Sequence, residues 1–247
     1  VSVFKGDKQT PIWGGWITGP SLIGPDEFSR AGYDYVGFDA QHSYLDDADI
    51  AGMLRRTEHL PIGTVVRLPN ADPAPIGRVL DAGADAVVIA MIESAEQAAA
   101  AVAATRYQPA GIRSFGPLRA DLGRDTAALQ ARVSVFAMIE TAAALEAVDE
   151  ICAVDGLAGL YVGPADLALS LGVDVVGAHS DPIVLDAIVR IRRAADAAGL
   201  VSGVHAGDGT AGRAMAKLGF SMITLAAESV ALRRGAAEHL REAKHDG

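Results

Sequence analysis

Half of the 247 residues are hydrophobic, enough to bury one large core, yet the apolar runs are too short for a membrane-spanning helix, so a soluble protein without a membrane partner is expected. A formal net charge of -10 argues against a nucleic-acid partner, whose phosphates need a basic face. Cys152 stands alone, which leaves no intrachain disulfide, and no basic segment followed by an apolar one opens the chain; both fit a cytoplasmic protein.

Along the chain one event repeats: a short apolar, often β-branched run, a polar or Gly/Pro turn, then an Ala-rich helical stretch. Strands are predicted at 12–17, 35–38, 64–68, 86–91, 135–139, 159–162, 200–204 and 222–225. Helices are predicted at 25–31, 46–58, 75–82, 95–105, 142–151, 182–198, 209–218 and 230–243, with starts such as Ser94 and stops such as Gly199. Eight alternating pairs are the count of a closed (β/α)8 TIM barrel. An open doubly wound sheet is the alternative, because periodicity does not show closure. No Ser/Gly linker or charge block divides the chain, so a single domain over 1–247 is expected.

In a barrel, chemistry gathers at the C-terminal ends of the strands. Strand two offers Asp39 and His42, strand three Arg67, strand five Glu140, strand six the run Gly163-Pro164-Ala165-Asp166, and strand seven His205. Glu140 and Asp166 are one strand-helix unit apart, so they face one space, where two carboxylates repel unless a proton or cation lies between them. With oxygen ligands and no Cys nearby, the cation would be Mg2+ or Mn2+, with Co2+ or Zn2+ as alternatives. The bland reading is that each carboxylate favours a helix N-terminus.

Arg67 follows four apolar residues, and a buried guanidinium needs an anion: either a carboxylate ligand or a salt bridge to Asp39 or Glu140. His42 is either a surface or capping histidine or, sharing a strand end with Asp39, part of a site. Lys5, Lys8, Lys217 and Lys244 are the only lysines, and none falls at a strand end where a Schiff base would form. Carbanion chemistry here would need a metal as electron sink. Gly207 to Gly212 spells GxGxxG, but too little chain follows it for a nucleotide domain, and a tight turn explains the glycines.

Several segments together resemble the HpcH/HpaI family of metal-dependent class II 2-oxo-acid aldolases over nearly the whole chain: Trp13-Gly14, FDAQHS at 38–43, VVRLPNAD at 65–72, ATRYQPAGIRSFGPLRA at 104–120, MIET at 138–141 and LYVGPADLALSLG at 160–172. The resemblance implies that Glu140 and Asp166 bind the metal and that Arg67 contacts the ketone or enolate oxygen. It further implies that the 163–166 turn, including Gly163, Pro164 and Ala165, meets the substrate carboxylate, and that Trp13 and Gln41 belong to the substrate pocket. His42, with Asp81 as its partner, would handle protons, and Asp39 would support the site. Two residues depart from the family pattern: Gln41 stands where a glutamate is usual, and Met138 where a glutamine is common.

The expected reaction is cleavage or formation of a 4-hydroxy-2-oxo acid, giving pyruvate or a similar 2-oxo acid plus an aldehyde. A citryl- or malyl-CoA type lyase is a rival, though no basic cluster suits a CoA phosphate. A non-catalytic keto-acid-binding protein is another. The resemblance also implies a homo-oligomer, a hexamer built from dimers, with the C-terminal helix and the 115–122 loop available for subunit packing.

Overall fold

The computed structural model describes residues 3–5 and 10–244; of the expected domain, 1–2, 6–9 and 245–247 lie outside, and Lys8 with them. Eight parallel strands close in sequence order, which removes the open-sheet alternative. They are β1 (Ile12–Ile17), β2 (Tyr35–Asp39), β3 (Gly63–Leu68), β4 (Ala86–Ile89), β5 (Ser134–Ile139), β6 (Gly159–Val162), β7 (Val201–His205) and β8 (Met222–Ala227). All eight predicted strands are present, most within a residue of their predicted ends.

The helices are α1 (Gly24–Arg30), α2 (Asp47–Arg56), α3 (Pro73–Asp81), α4 (Ala95–Thr105), α5 (Thr126–Arg132), α6 (Ala142–Glu146), α7 (Val148–Cys152), α8 (Pro164–Ser170), α9 (Pro182–Ala197), α10 (Gly209–Lys217) and α11 (Glu228–Lys244). Starts are set by side-chain caps: Asp46 forms a full capping box, and Asp72, Ser94, Thr141, Asp181 and Asp208 accept from first-turn amides. Two helices lie outside the predicted list, although the bland reading of Asp166 already implied a helix start at the second. α5 is too short for a clear period, and α8 follows Gly163-Pro164, a pair that reads as a loop until Pro is recognised as a first-turn residue. The helix expected at 142–151 divides at Ala147, whose ψ of 6° interrupts the helical ladder.

Strand alternation sorts the core into two parts. Outward residues such as Val36, Phe38, Val66, Leu68, Ala137 and Ile139 pack under the helices. Inward residues, Trp16, Tyr35, Val65, Val88, Phe136, Met138, Tyr161 and Met222, fill the barrel. Phe4 plugs the end where the strands begin, with its ring centroid 5.6 Å from Tyr35 and 6.0 Å from Phe136. Higher up, the hydroxyls of Tyr35 and Tyr161 converge on Thr224 Oγ1 at 2.8 and 2.7 Å, so the buried polar groups there satisfy one another. Gly37 matters because Trp16 lies where its Cβ would be; any side chain on that residue would displace the indole. The same parity points Asp39, Arg67, Glu140 and His205 inward at the opposite mouth.

Candidate active site

Asp39 and Arg67 sit side by side in the β2–β3 register. Arg67 Nε donates to Asp39 Oδ1 at 3.0 Å and Nη2 donates to Oδ2, a bidentate fork. Trp16 Nε1 donates to Oδ2 at 3.2 Å, and the amides of Gln41 and His42 donate to Oδ1 at 2.9 and 3.1 Å. Burial pushes the Asp39 carboxyl up, but the hydrogen bond and charge of Arg67 and the two amides outweigh it and hold the group below its usual value. Of the two readings of Arg67, the salt bridge to Asp39 is present. Its Nη1 lies outside the fork, and the guanidinium lies 5.7 Å from the centre of the Trp16 ring.

Glu140 directly follows β5 and is 1% exposed. Oε1 accepts from the Met91 amide at 2.8 Å, while Oε2 is buried without a hydrogen-bond partner. Burial raises its carboxyl and the nearby Asp166 charge adds to the rise; the Met91 amide, Arg67 and His42 only partly offset them. Gly163 leaves the space: a Cβ there would lie 2.6 Å from Oε2. Met91 itself has φ 56°, a left-handed conformation costly for a residue with a side chain, and that conformation accompanies the amide's bond to Glu140.

A cavity of about 270 Å³ opens over the Asp39–Arg67 pair, and Glu140 lies behind its Gly163 wall rather than among its lining residues. Trp16, Asp39, His42, Arg67, Met138 and Asp166 line it together with the Gly163–Ala165 turn, His179, His205 and Ala227. His42 is exposed, on a loop pinned by Asp39 and by Ser43 Oγ, which donates to the Asp39 carbonyl. Gln41 is half-buried with its Oε1 unpartnered, and it is not among the cavity-lining residues. A larger cavity of about 520 Å³ opens at the other end of the barrel beside Phe4, but among the described residues Arg106 is the one charged side chain that lines it.

One expectation needs correction, and another is not met within a single chain. Trp13 points outward by strand parity, lining a cleft with Tyr33, Arg213 and Leu225; Trp16, three residues on, is the pocket tryptophan. Asp81 ends α3, which runs back toward the strand starts, and its Oδ1 accepts from buried Arg113 Nη2 at 2.6 Å. Within one chain it cannot meet His42 at the opposite mouth. Trp16 was recoverable from the alternation of β1. His179 was not, because it lies in an irregular loop between α8 and α9 with no periodic signal.

Burial drives the His205 imidazole down to about 4, helped by the Arg67 charge, and burial also lowers His179. Burial therefore favours the neutral form of both imidazoles, which line the same pocket as Asp39, Asp166 and Arg67. Among the described residues no cluster of three or more His, Cys, Asp or Glu side chains could hold a metal alone, so a cation here would take its remaining ligands from substrate or water.

Comparison with known proteins bears on the fold and the family. A hydroxypyruvate/pyruvate aldolase of Rhizorhabdus wittichii is 36% identical over 241 residues, 96% of each chain. A 4-hydroxy-2-oxovalerate aldolase of Novosphingobium aromaticivorans is 38% identical over 69% of this chain and 68% of its own. The crystal structure of an HpcH/HpaI aldolase/citrate lyase family protein from Burkholderia cenocepacia superposes with a TM-score of 0.86 at 33% identity, covering 96% of both chains. The profile described as HpcH/HpaI aldolase/citrate lyase matches residues 14–234, and the chain belongs to that family.

Proposed function

We propose that this aldolase joins and cleaves 4-hydroxy-2-oxo acids, releasing pyruvate or a close 2-oxo acid and an aldehyde, with a divalent cation held by Glu140 and Asp166. The observation that carries the metal assignment is Glu140: a fully buried carboxylate with one oxygen unpartnered, facing the gap left by Gly163, and with the Asp166 charge nearby. Such a pair fits an oxygen-seeking cation such as Mg2+ or Mn2+. When bound, the cation supplies Lewis-acid stabilisation of the developing enolate charge.

The chain's own residues do the rest. Arg67, oriented by Asp39 and Trp16, presents the part of its guanidinium outside the fork to the substrate's oxo oxygen. Pro164 opens α8, so the first-turn amides that can receive a carboxylate are those of Ala165 and Asp166. His42 moves the proton of the 4-hydroxyl, taking it in cleavage and returning it in condensation. Gln41 acts through the backbone, its amide fixing Asp39. Asp81 can serve a His42 only across a subunit boundary, which belongs to the homo-oligomeric reading. That reading is supported by α11, which buries none of its residues on its own barrel and leaves Leu232 and Leu240 exposed.

Pyruvate release from a panel of 4-hydroxy-2-oxo acids, before and after EDTA and after metal add-back, tests the proposal. Turnover should vanish with chelation and return with Mg2+ or Mn2+. Undiminished turnover in EDTA would sink the metal assignment.

A further inference from the structure

The cavity of about 520 Å³ at the end of the barrel away from the catalytic mouth is of the size that holds small molecules, roughly 300 to 1,000 Å³. It lies against the starts of β5 and β7, where Val135 and Val201 join Phe4 and Leu157 as apolar walls. Three polar side chains line it: Thr105, Arg106 and Gln130. The Thr105 hydroxyl is committed, donating to the Val102 carbonyl at 2.8 Å. Arg106 is an exception among the arginines of this chain. Arg67, Arg113, Arg119, Arg132 and Arg192 are also buried or half-buried, and each is paired with a carboxylate. Arg106 is half-buried, yet among the described residues no carboxylate, carbonyl or aromatic face meets its guanidinium. A cation taken partly out of water costs free energy that an anion offsets. Its position is defined by Gly156, which has φ 97° and where a Cβ would lie 2.1 Å from Arg106 Nη2, so the guanidinium lies against backbone that glycine leaves open. Gln130 adds a neutral donor: its Oε1 accepts from the Tyr107 amide at 2.9 Å, which leaves Nε2 to offer.

We propose that this cavity is a second, non-catalytic site for a small monocarboxylic acid with an apolar body, its carboxylate on Arg106 and Gln130 and its body against Phe4, Val135, Leu157 and Val201. The site stands independently of the aldolase reading, since it shares no lining residue with the catalytic pocket. The guanidinium fork matches a carboxylate in shape as well as charge. One cation also limits the ligand's charge: with Arg106 alone among the described lining residues and a net charge of -10 on the chain, a nucleotide or bisphosphate meets too little positive charge. The apolar walls set the body. Acetate and inorganic phosphate leave them uncovered, whereas a ring or a short alkyl chain removes apolar surface from water.

Isothermal titration of the full chain in EDTA, which keeps any metal from drawing carboxylates to the catalytic mouth, tests the site with benzoate, 3-phenylpropionate and hexanoate as probes. At least one of the three should bind, and its uncharged amide, acetate and inorganic phosphate should each bind about tenfold or more weakly than it does. Arg106→Gln and Gln130→Glu should each weaken that acid about tenfold or more, and Arg106→Lys, which keeps the charge but not the fork, should keep part of the affinity. The melting temperature of Arg106→Gln without ligand should hold or rise, because an unpaired half-buried charge is removed. A guanidinium that only caps the end of α4 gives the opposite pattern: a lower melting temperature and an unchanged affinity. Failure of all three acids to bind, equal binding of acid and amide, or an affinity that neither variant moves overturns the site. Gln130→Glu keeps an oxygen for the Tyr107 amide, so it decides where Arg106→Gln fails to fold, and the acid-to-amide ratio of the wild type decides where both fail.

Discussion

Asp39 ends β2 and Glu140 directly follows β5; both point into the same mouth and each is 1% exposed, yet their surroundings are opposites. Asp39 receives five hydrogen bonds, two from Arg67 and one each from Trp16, Gln41 and His42. Glu140 receives one, from Met91, and its second oxygen has none. A buried carboxylate costs free energy unless it is paired. Asp39 is paired within the chain and fixes the frame, while Glu140 is left in deficit, the condition in which a cation gains most by binding.

That contrast predicts its largest break at Glu140. Glu140→Gln should lower kcat/KM on the order of 10^3-fold, since it removes a charge-stabilising contact at the reacting centre. Its melting temperature in EDTA should hold or rise, because the raised pKa of Glu140 shows that its charge is unfavourable in the folded protein. Added Mn2+ at one hundred times its dissociation constant should stabilise the wild type by about 2.7 kcal/mol. The same addition should leave Glu140→Gln unmoved. A large drop in melting temperature for Glu140→Gln without metal would mean that Glu140 is a structural anchor after all.

On the Asp39 side the loss should appear in stability as well as activity. Arg67→Met strands a buried carboxylate and should cost about 3 to 5 kcal/mol by urea denaturation. The double variant Arg67→Met/Asp39→Asn should recover part of that cost, because the stranded charge is then gone. Recovery of nothing would show that Arg67 stabilises through packing on Trp16 rather than through Asp39.

The pair also shows where sequence reading succeeds. Short apolar, often β-branched runs followed by polar or Gly/Pro turns locate all eight strands, and the C-terminal strand ends of a closed barrel share one mouth, which is how Asp39, Arg67, Glu140 and His205 could be placed together. Trp13 was misplaced because a motif match carries no parity, whereas counting back along β1 from the mouth reaches Trp16. Asp81 is not brought to His42 within one chain, because a family role says nothing about which end of the barrel a helix terminus occupies. His179 and the Met91 amide were invisible for a physical reason. Each depends on how an irregular loop is folded over the mouth, which no local periodicity encodes.

The acid side of the stability curve separates the groups by sign. His205 has a folded pKa of about 4 against 6.5 in a free imidazole, so the unfolded chain binds the proton first. Its contribution is complete above pH 6.5 and is lost as the pH falls toward 4, amounting to roughly 3 kcal/mol over that window. Burial gives His179 the same sign. Glu140, whose pKa is raised, acts oppositely: its penalty is relieved as the pH falls through its folded value. Asp39 loses its contribution only below its ordinary value of 3.8. His205→Gln should therefore flatten unfolding free energy between pH 6.5 and 4, and Glu140→Gln should steepen it. If neither slope changes, the mouth is wetter than its burial implies.

The smallest effect expected is at Trp16. Trp16→Phe keeps an aromatic ring near Tyr161 and Arg67 but removes the Nε1 donor to Asp39, one of five bonds to a group that retains the other four. The cost should be about 1.5 kcal/mol, the range of a single hydrogen bond to a charged group. Trp13→Phe, on the outer face, supplies the comparison and should leave Arg67-dependent activity alone. The Mn2+-induced stabilisation should be the same in Trp16→Phe as in the wild type, because Asp39 and Glu140 share no hydrogen-bond partner. If Trp16→Phe weakened Mn2+ binding, the two carboxylates would be coupled through the mouth, and the division between a fixed frame and a separate cation site would fail.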